Sequence, residues 1–151
     1  MPHEHRRRSR TPLPPRKLRA LIVEDDMQTQ KAIVNAFKRA GFEVTACPDF
    51  ASAKAALEKK SRFDVLITDG DYCGDKEYPG MGSLSLLKLL KKEPGFCPLI
   101  TTMITGEKRK FERHLKALGD TCVQPELYEK DKVDFFTLAQ SSKYRLTYIP
   151  G

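Results

Sequence analysis

Two short groups of acids carry the chemical promise of this chain. Glu24, Asp25 and Asp26 close the apolar run Leu18–Val23, and Asp69 and Asp71 close the run Phe63–Thr68. Thr105, then Gly106, follows a third run, and Gln124-Pro125 follows a fourth. A carboxylate serves as a nucleophile, and several together hold a hard cation through oxygen alone. If the first two runs are neighbouring strands, Glu24, Asp25 and Asp69 converge. Two carboxylates ~5 Å apart repel by about 3 kcal/mol at an effective dielectric near 20. Three of them call for a cation, and oxygen ligands suit Mg²⁺, which also keeps some of its waters. A single acid at a strand end is an ordinary solvated loop residue; acids at two ends are the stronger signal.

The elements that must position these residues alternate. Leu18–Val23 reads as a buried strand, and Ile33, Ala36, Phe37 and Ala40 then recur at helical spacing up to Gly41. Phe42–Ala46 reads as a second strand, and Phe50, Ala53, Ala56 and Leu57 as a second helix. Phe63–Thr68 is a third strand, Leu84–Leu90 a Leu-rich helix, and Pro98–Ile104 a fourth strand. Phe111, Leu115 and Leu118 mark a helix closed by Gly119, and Thr121–Val123 is a short fifth strand. Val133, Phe136 and Ala139 lie on a last helix ending near Ser141. Five strand–helix repeats predict an α/β fold with a five-stranded parallel sheet, helices on both faces and right-handed crossovers. Sites in such sheets lie at the carboxyl ends of the strands, at a switch point.

At 151 residues the chain is expected to form one folded body. No apolar stretch reaches the ~20 residues of a membrane span, and no secretory signal is visible, so a cytoplasmic location is expected. The net charge of +7 is unevenly spread. Residues 1–19 hold seven basic side chains and one acid, while the remainder holds 20 basic and 19 acidic ones. A globally basic nucleic-acid-binding body is therefore not indicated. Residues 1–16 are basic and Pro-rich with almost nothing to bury, and read as a disordered tail. His3 and His5 in it are not read as a metal site. Cys47, Cys73, Cys97 and Cys122 lack the close pairs of a zinc site and read as reduced thiols. Cys73 has no histidine nearby in sequence, and His114 reads as a surface residue of its helix. Gly80 and Gly82 lack the Lys-Ser/Thr ending of a phosphate loop.

The segments LRALIVEDD, FDVLITD, MITGE and VQP resemble, in that order, the motifs of a response-regulator receiver domain. The resemblance covers about residues 17–141 and leaves 142–151 as a C-terminal tail. It implies a flavodoxin-like, doubly wound, three-layer fold in which Asp69 accepts a phosphoryl group. It further implies Mg²⁺ held by Glu24, Asp25, Asp69 and the backbone carbonyl of Asp71, with Thr105 as the switch hydroxyl; Met103 competes with Thr105 for that place. Gln124 stands where the family has lysine, and Thr121 where it often has an aromatic switch residue. A charged hydrogen bond is worth about 1.5–3 kcal/mol against about 1 for a neutral one, so Gln124 implies weakened phosphorylation or readout. The stretch Asp69–Gly82 is longer than the family's loop and is expected to bring Asp75 and Glu77 beside the metal site.

The leading reading is a stand-alone receiver rather than an enzyme with turnover. It is phosphorylated by a histidine kinase or phosphotransfer protein and signals by docking a downstream protein. Its output surface in the family, around the fourth helix, fifth strand and fifth helix, also leaves a homodimer open. The few residues after the last helix leave no room for a DNA-binding domain, and no membrane partner is expected. One alternative is a phosphorylation-independent pseudo-receiver, favoured by Gln124 and the altered loop. A distant one is a toprim-like Mg²⁺-dependent nucleic-acid enzyme using Glu24 and the Asp69-Gly70-Asp71 run.

Overall fold

A computed structural model describes residues 16–60, 62–119 and 124–148. Five strands, β1 (Arg19–Val23), β2 (Glu43–Cys47), β3 (Val65–Asp69), β4 (Ile100–Thr105) and β5 (Glu126–Glu129), pair in parallel in the order β2-β1-β3-β4-β5. They alternate with α1 (Met27–Arg39), α2 (Phe50–Lys60), α3 (Gly82–Lys92), α4 (Lys108–Leu118) and α5 (Phe135–Thr147). Every residue of β3 and β4 is buried, because helices cover both faces of the central strands. On one face Ile33 and Phe37 of α1 and Leu138 and Ala139 of α5 pack against Ala20, Ile22, Val65, Ile67 and Ile104. On the other, α2, α3 and α4 bring Leu57, Leu84, Leu87 and Phe111 against Leu21, Val23, Leu66 and Met103. The chain leaves β1 toward β2 and returns to β3 on the opposite side. The crevice of that reversal therefore opens where β1 and β3 end. This is the doubly wound fold that the alternation predicts.

Local chemistry sets the helix ends. Asp26 caps α1, accepting from the Thr29 amide at 2.9 Å, and Asp134 caps α5, accepting from the Thr137 amide at 3.1 Å. Gly41, at φ 98°, ends α1: its amide donates to Lys38 O and the Phe42 amide to Phe37 O. Those are the two bonds of a Schellman cap, whose left-handed residue glycine alone adopts cheaply.

Three expectations need correction. Residues 120–123, which include the expected strand Thr121–Val123 and the expected switch position Thr121, lie outside the described residues. The fifth strand is Glu126–Glu129, paired with Thr102–Thr105. It is a half-exposed edge whose Leu127 packs inward while Glu126 and Tyr128 face out. No continuous apolar run marks it. The last helix does not stop near Ser141 but continues to Thr147. Ser142 and Thr147 spend their hydroxyls on Leu138 O and Lys143 O, each at 2.8 Å, so these polar residues continue the helix. Cys47 and Cys73 are free thiols, but Cys97 is disulfide-bonded; Cys122 lies outside the described residues. The tail through residue 15 and residues 149–151 also lie outside them. Among the described residues no helix is long and apolar enough to cross a membrane.

Gly41→Ala has room for its methyl group, the nearest atom being Lys143 Nζ at 3.9 Å. The cost is therefore conformational, about 1–2 kcal/mol. Urea unfolding is expected to show a lower midpoint at unchanged slope.

Candidate functional site

The pairing of β1 with β3, with Val23 opposite Thr68, makes Glu24 and Asp69 neighbours at the crevice. Glu24, Asp25 and Asp69 each bring a carboxylate oxygen within 4.8 Å of the others. The Glu24 side chain is 1% exposed and that of Asp69 8%. Each is held from the backbone. Glu24 Oε2 accepts from the Asp26 amide at 3.1 Å, and Asp69 Oδ1 from the Gly70 amide at 2.8 Å. Gln30 of α1 donates its side-chain amide to Glu24 O at 2.8 Å and so fixes the β1–α1 turn.

Lys130, the residue after β5, completes the cluster. Its ammonium lies 2.8 Å from Glu24 Oε1 and 3.4 Å from Asp69 Oδ2. The parallel register brings it there, since Glu129 pairs with Thr105 and the Lys130 amide donates to Thr105 O at 2.9 Å. Gln124, expected in this place, is exposed and lies ahead of β5, at the wrong end of the strand. The residue was missed because β5 is an alternating edge strand, with Leu127 as its only inward apolar contact. The short Leu-Tyr-Glu-Lys alternation is the one signal that points to it.

Burial pushes Glu24 up to about 7, with nearby Asp69 adding to the rise and the Lys130 hydrogen bond opposing it. Burial also raises Asp69, against the charge of Lys130. Burial alone would lower Lys130, yet its bond to Glu24 and the charge of Asp69 hold it above the usual range. Three carboxylates against one ammonium leave unbalanced negative charge among oxygen ligands. A hard divalent cation such as Mg²⁺ fits that donor set.

The surroundings are tightly built. Gly70 cannot take a side chain, because a Cβ there would lie 2.4 Å from the Phe111 ring of α4. A Cβ on Gly82 would lie 2.2 Å from the Tyr72 ring, whose buried hydroxyl is 2.7 Å from Thr68 Oγ1. Thr105 ends β4, fully buried, and its oxygen accepts from the Glu107 amide at 3.0 Å. Met103 lies in the core instead. The Asp71 carboxylate meets Lys110 Nζ at 3.2 Å, and Lys110 also reaches Glu107 at 3.1 Å. Asp75 and Glu77 do not join the acids. Asp75 accepts from the Glu77 and Tyr78 amides and from Ser85 of α3, while Glu77 pairs with Lys88. The long loop thus folds onto α3, away from the crevice. His114 stands beside Phe111, ring centroids 6.4 Å apart.

No family model matches the chain. It is 26% identical over 132 residues to the transcriptional activator protein PfeR of Pseudomonas aeruginosa, covering 87% of this chain and 40% of PfeR. It is 27% identical over 95 residues to chemotaxis protein CheY-3 of Vibrio cholerae, covering 63% of this chain and 68% of that protein. Among solved structures, chemotaxis response regulator CheY4 of Vibrio cholerae superposes with a TM-score of 0.65 at 22% identity, over 85% of this chain and 98% of that one. The chain thus spans less than half the length of PfeR. The structural neighbours are response regulators of the receiver-domain fold, and this chain has that fold.

Glu24 takes up a proton on folding between its unfolded value of 4.5 and about 7. More protons bound in the folded state mean that stability falls as pH rises through this window. Asp69 is shifted in the same direction. Thermal melts without metal are expected to drop between about pH 5 and 7, and Glu24→Gln is expected to flatten that drop. An equally steep drop in the variant would place the titration elsewhere.

Proposed function

We propose that this chain, a receiver domain by fold and kinship, accepts a phosphoryl group on Asp69 in a two-component phosphorelay. The observation that carries the reading is the Lys130 ammonium set between Glu24 and Asp69 at the β1–β3 crevice. An Asp69 oxygen attacks the phosphorus of a phosphohistidine on a kinase or phosphotransfer protein. The oxygen–phosphorus bond forms as the phosphorus–nitrogen bond breaks, its electron pair returning to the donor imidazole. Mg²⁺, held by Glu24, Asp25, Asp69 and the Asp71 carbonyl, would gather charge on the transferring oxygens. Lys130 keeps Asp69 ionised for attack and then stands within reach of a phosphoryl oxygen. Thr105 accepts from Glu107 and keeps its own proton to donate once the phosphoryl group arrives. That contact exists in one state only, so it can bias two conformations. The donor supplies the phosphoryl group and this chain catalyses only its own modification.

Gln124 and the altered loop favour a phosphorylation-independent module; Lys130 at the crevice and a loop folded onto α3 support the phosphoacceptor reading instead. The toprim-like alternative needs the Asp71 carboxylate with Glu24 and Asp69, but Lys110 holds it.

Intact mass after incubation with acetyl phosphate is expected to show one Mg²⁺-dependent phosphoryl adduct that is absent from Asp69→Asn. Lys130→Ala is expected to label at least about tenfold more slowly, as loss of a buried charge-assisted contact implies. Gln124→Lys is expected to label like the native chain. Labelling of Asp69→Asn would exclude Asp69 as the acceptor.

A further inference from the structure

The near-neutral average of the folded body conceals a strongly basic face. α3 and α4 together carry eight basic side chains (Lys88, Lys91, Lys92, Lys108, Arg109, Lys110, Arg113 and Lys116) against a single acid, Glu112. The helices lie side by side, and Lys91 Nζ donates to Leu118 O at 3.0 Å across their ends. Lys88 and Lys110 are spent on acids of the long loop and of Glu107. Among the described residues Lys91, Lys92, Lys108, Arg109, Arg113 and Lys116 have no carboxylate within ion-pair distance. Exposed acids, Glu93, Glu107, Glu112 and Glu129, border the face without closing on these six.

Helix stability does not explain the pattern. Lys108, Arg109 and Lys110 fill the first turn of α4, where the helix dipole disfavours cations, and the preceding Glu107 supplies no side-chain cap. Arg109 and Arg113 stand one turn apart with like charge. A protein-docking role does not explain it either. Such interfaces centre on buried aromatic or Met anchors. The exposed large apolar residues are Met27, Leu99, Tyr128, Phe136, Tyr144 and Tyr148, and none lies on α3 or α4. Phe136 and Tyr144 lie on α5 and Tyr148 just follows it, on the opposite face of the sheet.

We propose that the α3–α4 face binds the phosphate backbone of duplex nucleic acid without reading its sequence. Charge without apolar anchors is what backbone binding requires. An eleven-residue helix is about 16 Å long, and duplex DNA carries one charge per about 1.7 Å of axis, so two adjacent helices present cations over a comparable span. No exposed aromatic on the face offers a stacking platform, which single strands use. Arg16, the first described residue, lies nearby. Arg16 grips buried Asp64 just ahead of β3, and Asp64 O in turn accepts from the Leu99 and Ile100 amides, in the connection that follows α3. Arg16 therefore meets the body at the edge of the sheet where Lys91 and Lys92 end α3.

The test is anisotropy of a labelled random-sequence duplex of about two helical turns, titrated with the full chain between about 50 and 200 mM salt. Six face contacts predict a slope of log affinity against log salt of at least about −5 in magnitude. Arg109→Gln/Arg113→Gln/Lys116→Gln is expected to make it shallower by about 3 units. Lys31→Gln/Lys38→Gln/Arg39→Gln, which removes as much charge from α1, is expected to leave it unchanged. Circular dichroism checks that each variant folds; should the α4 triple not fold, Arg113→Gln alone is expected to lower the slope by about 1. Equal slopes in the native chain and the α4 variants would overturn the proposal and assign binding to the tail. Equal losses in the α1 and α4 triples would reduce it to diffuse charge and also overturn it. Tighter binding to phosphatidylserine vesicles or to polyglutamate than to the duplex would replace nucleic acid by a lipid surface or an acidic protein.

Discussion

Glu24 and Asp69 are withdrawn from water with a single ammonium, that of Lys130, lying between them. Desolvation raises both acids and the ammonium opposes it. The balance is unfinished, since Asp25 adds a third carboxylate to the same few ångströms. A site in this condition gains from an added cation and responds to an added anion. Both properties suit a carboxylate that exchanges a phosphoryl group, and both follow from where β1, β3 and β5 end.

The elements around the crevice serve that placement. The Asp26 cap and the Gln30 side chain hold the turn that carries Glu24 and Asp25. Gly70 lets the Phe111 ring close over the backbone beside Asp69, and Ser83 of α3 donates to Gly70 O at 2.8 Å. The long loop between β3 and α3 is anchored twice. Tyr72 sits inside the core against Gly82 and Thr68, and Asp75 gathers the Glu77 and Tyr78 amides with Ser85. Its added acids are thus used to fold the loop onto α3 and leave the crevice acids undisturbed. Lys110 links the start of that loop to the Glu107 turn, whose amide engages Thr105. One lysine in this way joins the loop that follows Asp69 to the turn that engages Thr105.

Charge is sorted by the fold as well. Acids collect in the loops at the carboxyl edge, where the crevice needs them, and bases collect on the helices. The face built by α1 and α5 mixes basic with exposed aromatic residues, while the face built by α3 and α4 carries eight bases against one acid and no exposed large apolar residue. The two faces of one sheet thereby present different chemistry to whatever approaches.

Much of this was legible in the residues alone. Strands β1, β3 and β4 are buried on both faces, so their apolar runs announced them within two residues, and the acids at their ends followed. The parallel order follows from the alternation of strand and helix. What sequence did not yield lies at the edges. β5 is covered on one face only and reads as alternation, so no apolar run marks it and the residues alone point to Gln124 where the fold brings Lys130. Nor does composition reveal that near-balanced charges separate onto different faces, because separation depends on which helices lie side by side. Burial on both faces imprints itself on consecutive residues, whereas the meeting of Lys130 with Glu24 and Asp69 is set by strand register across the sheet, a relation between distant segments that only the tertiary structure decides.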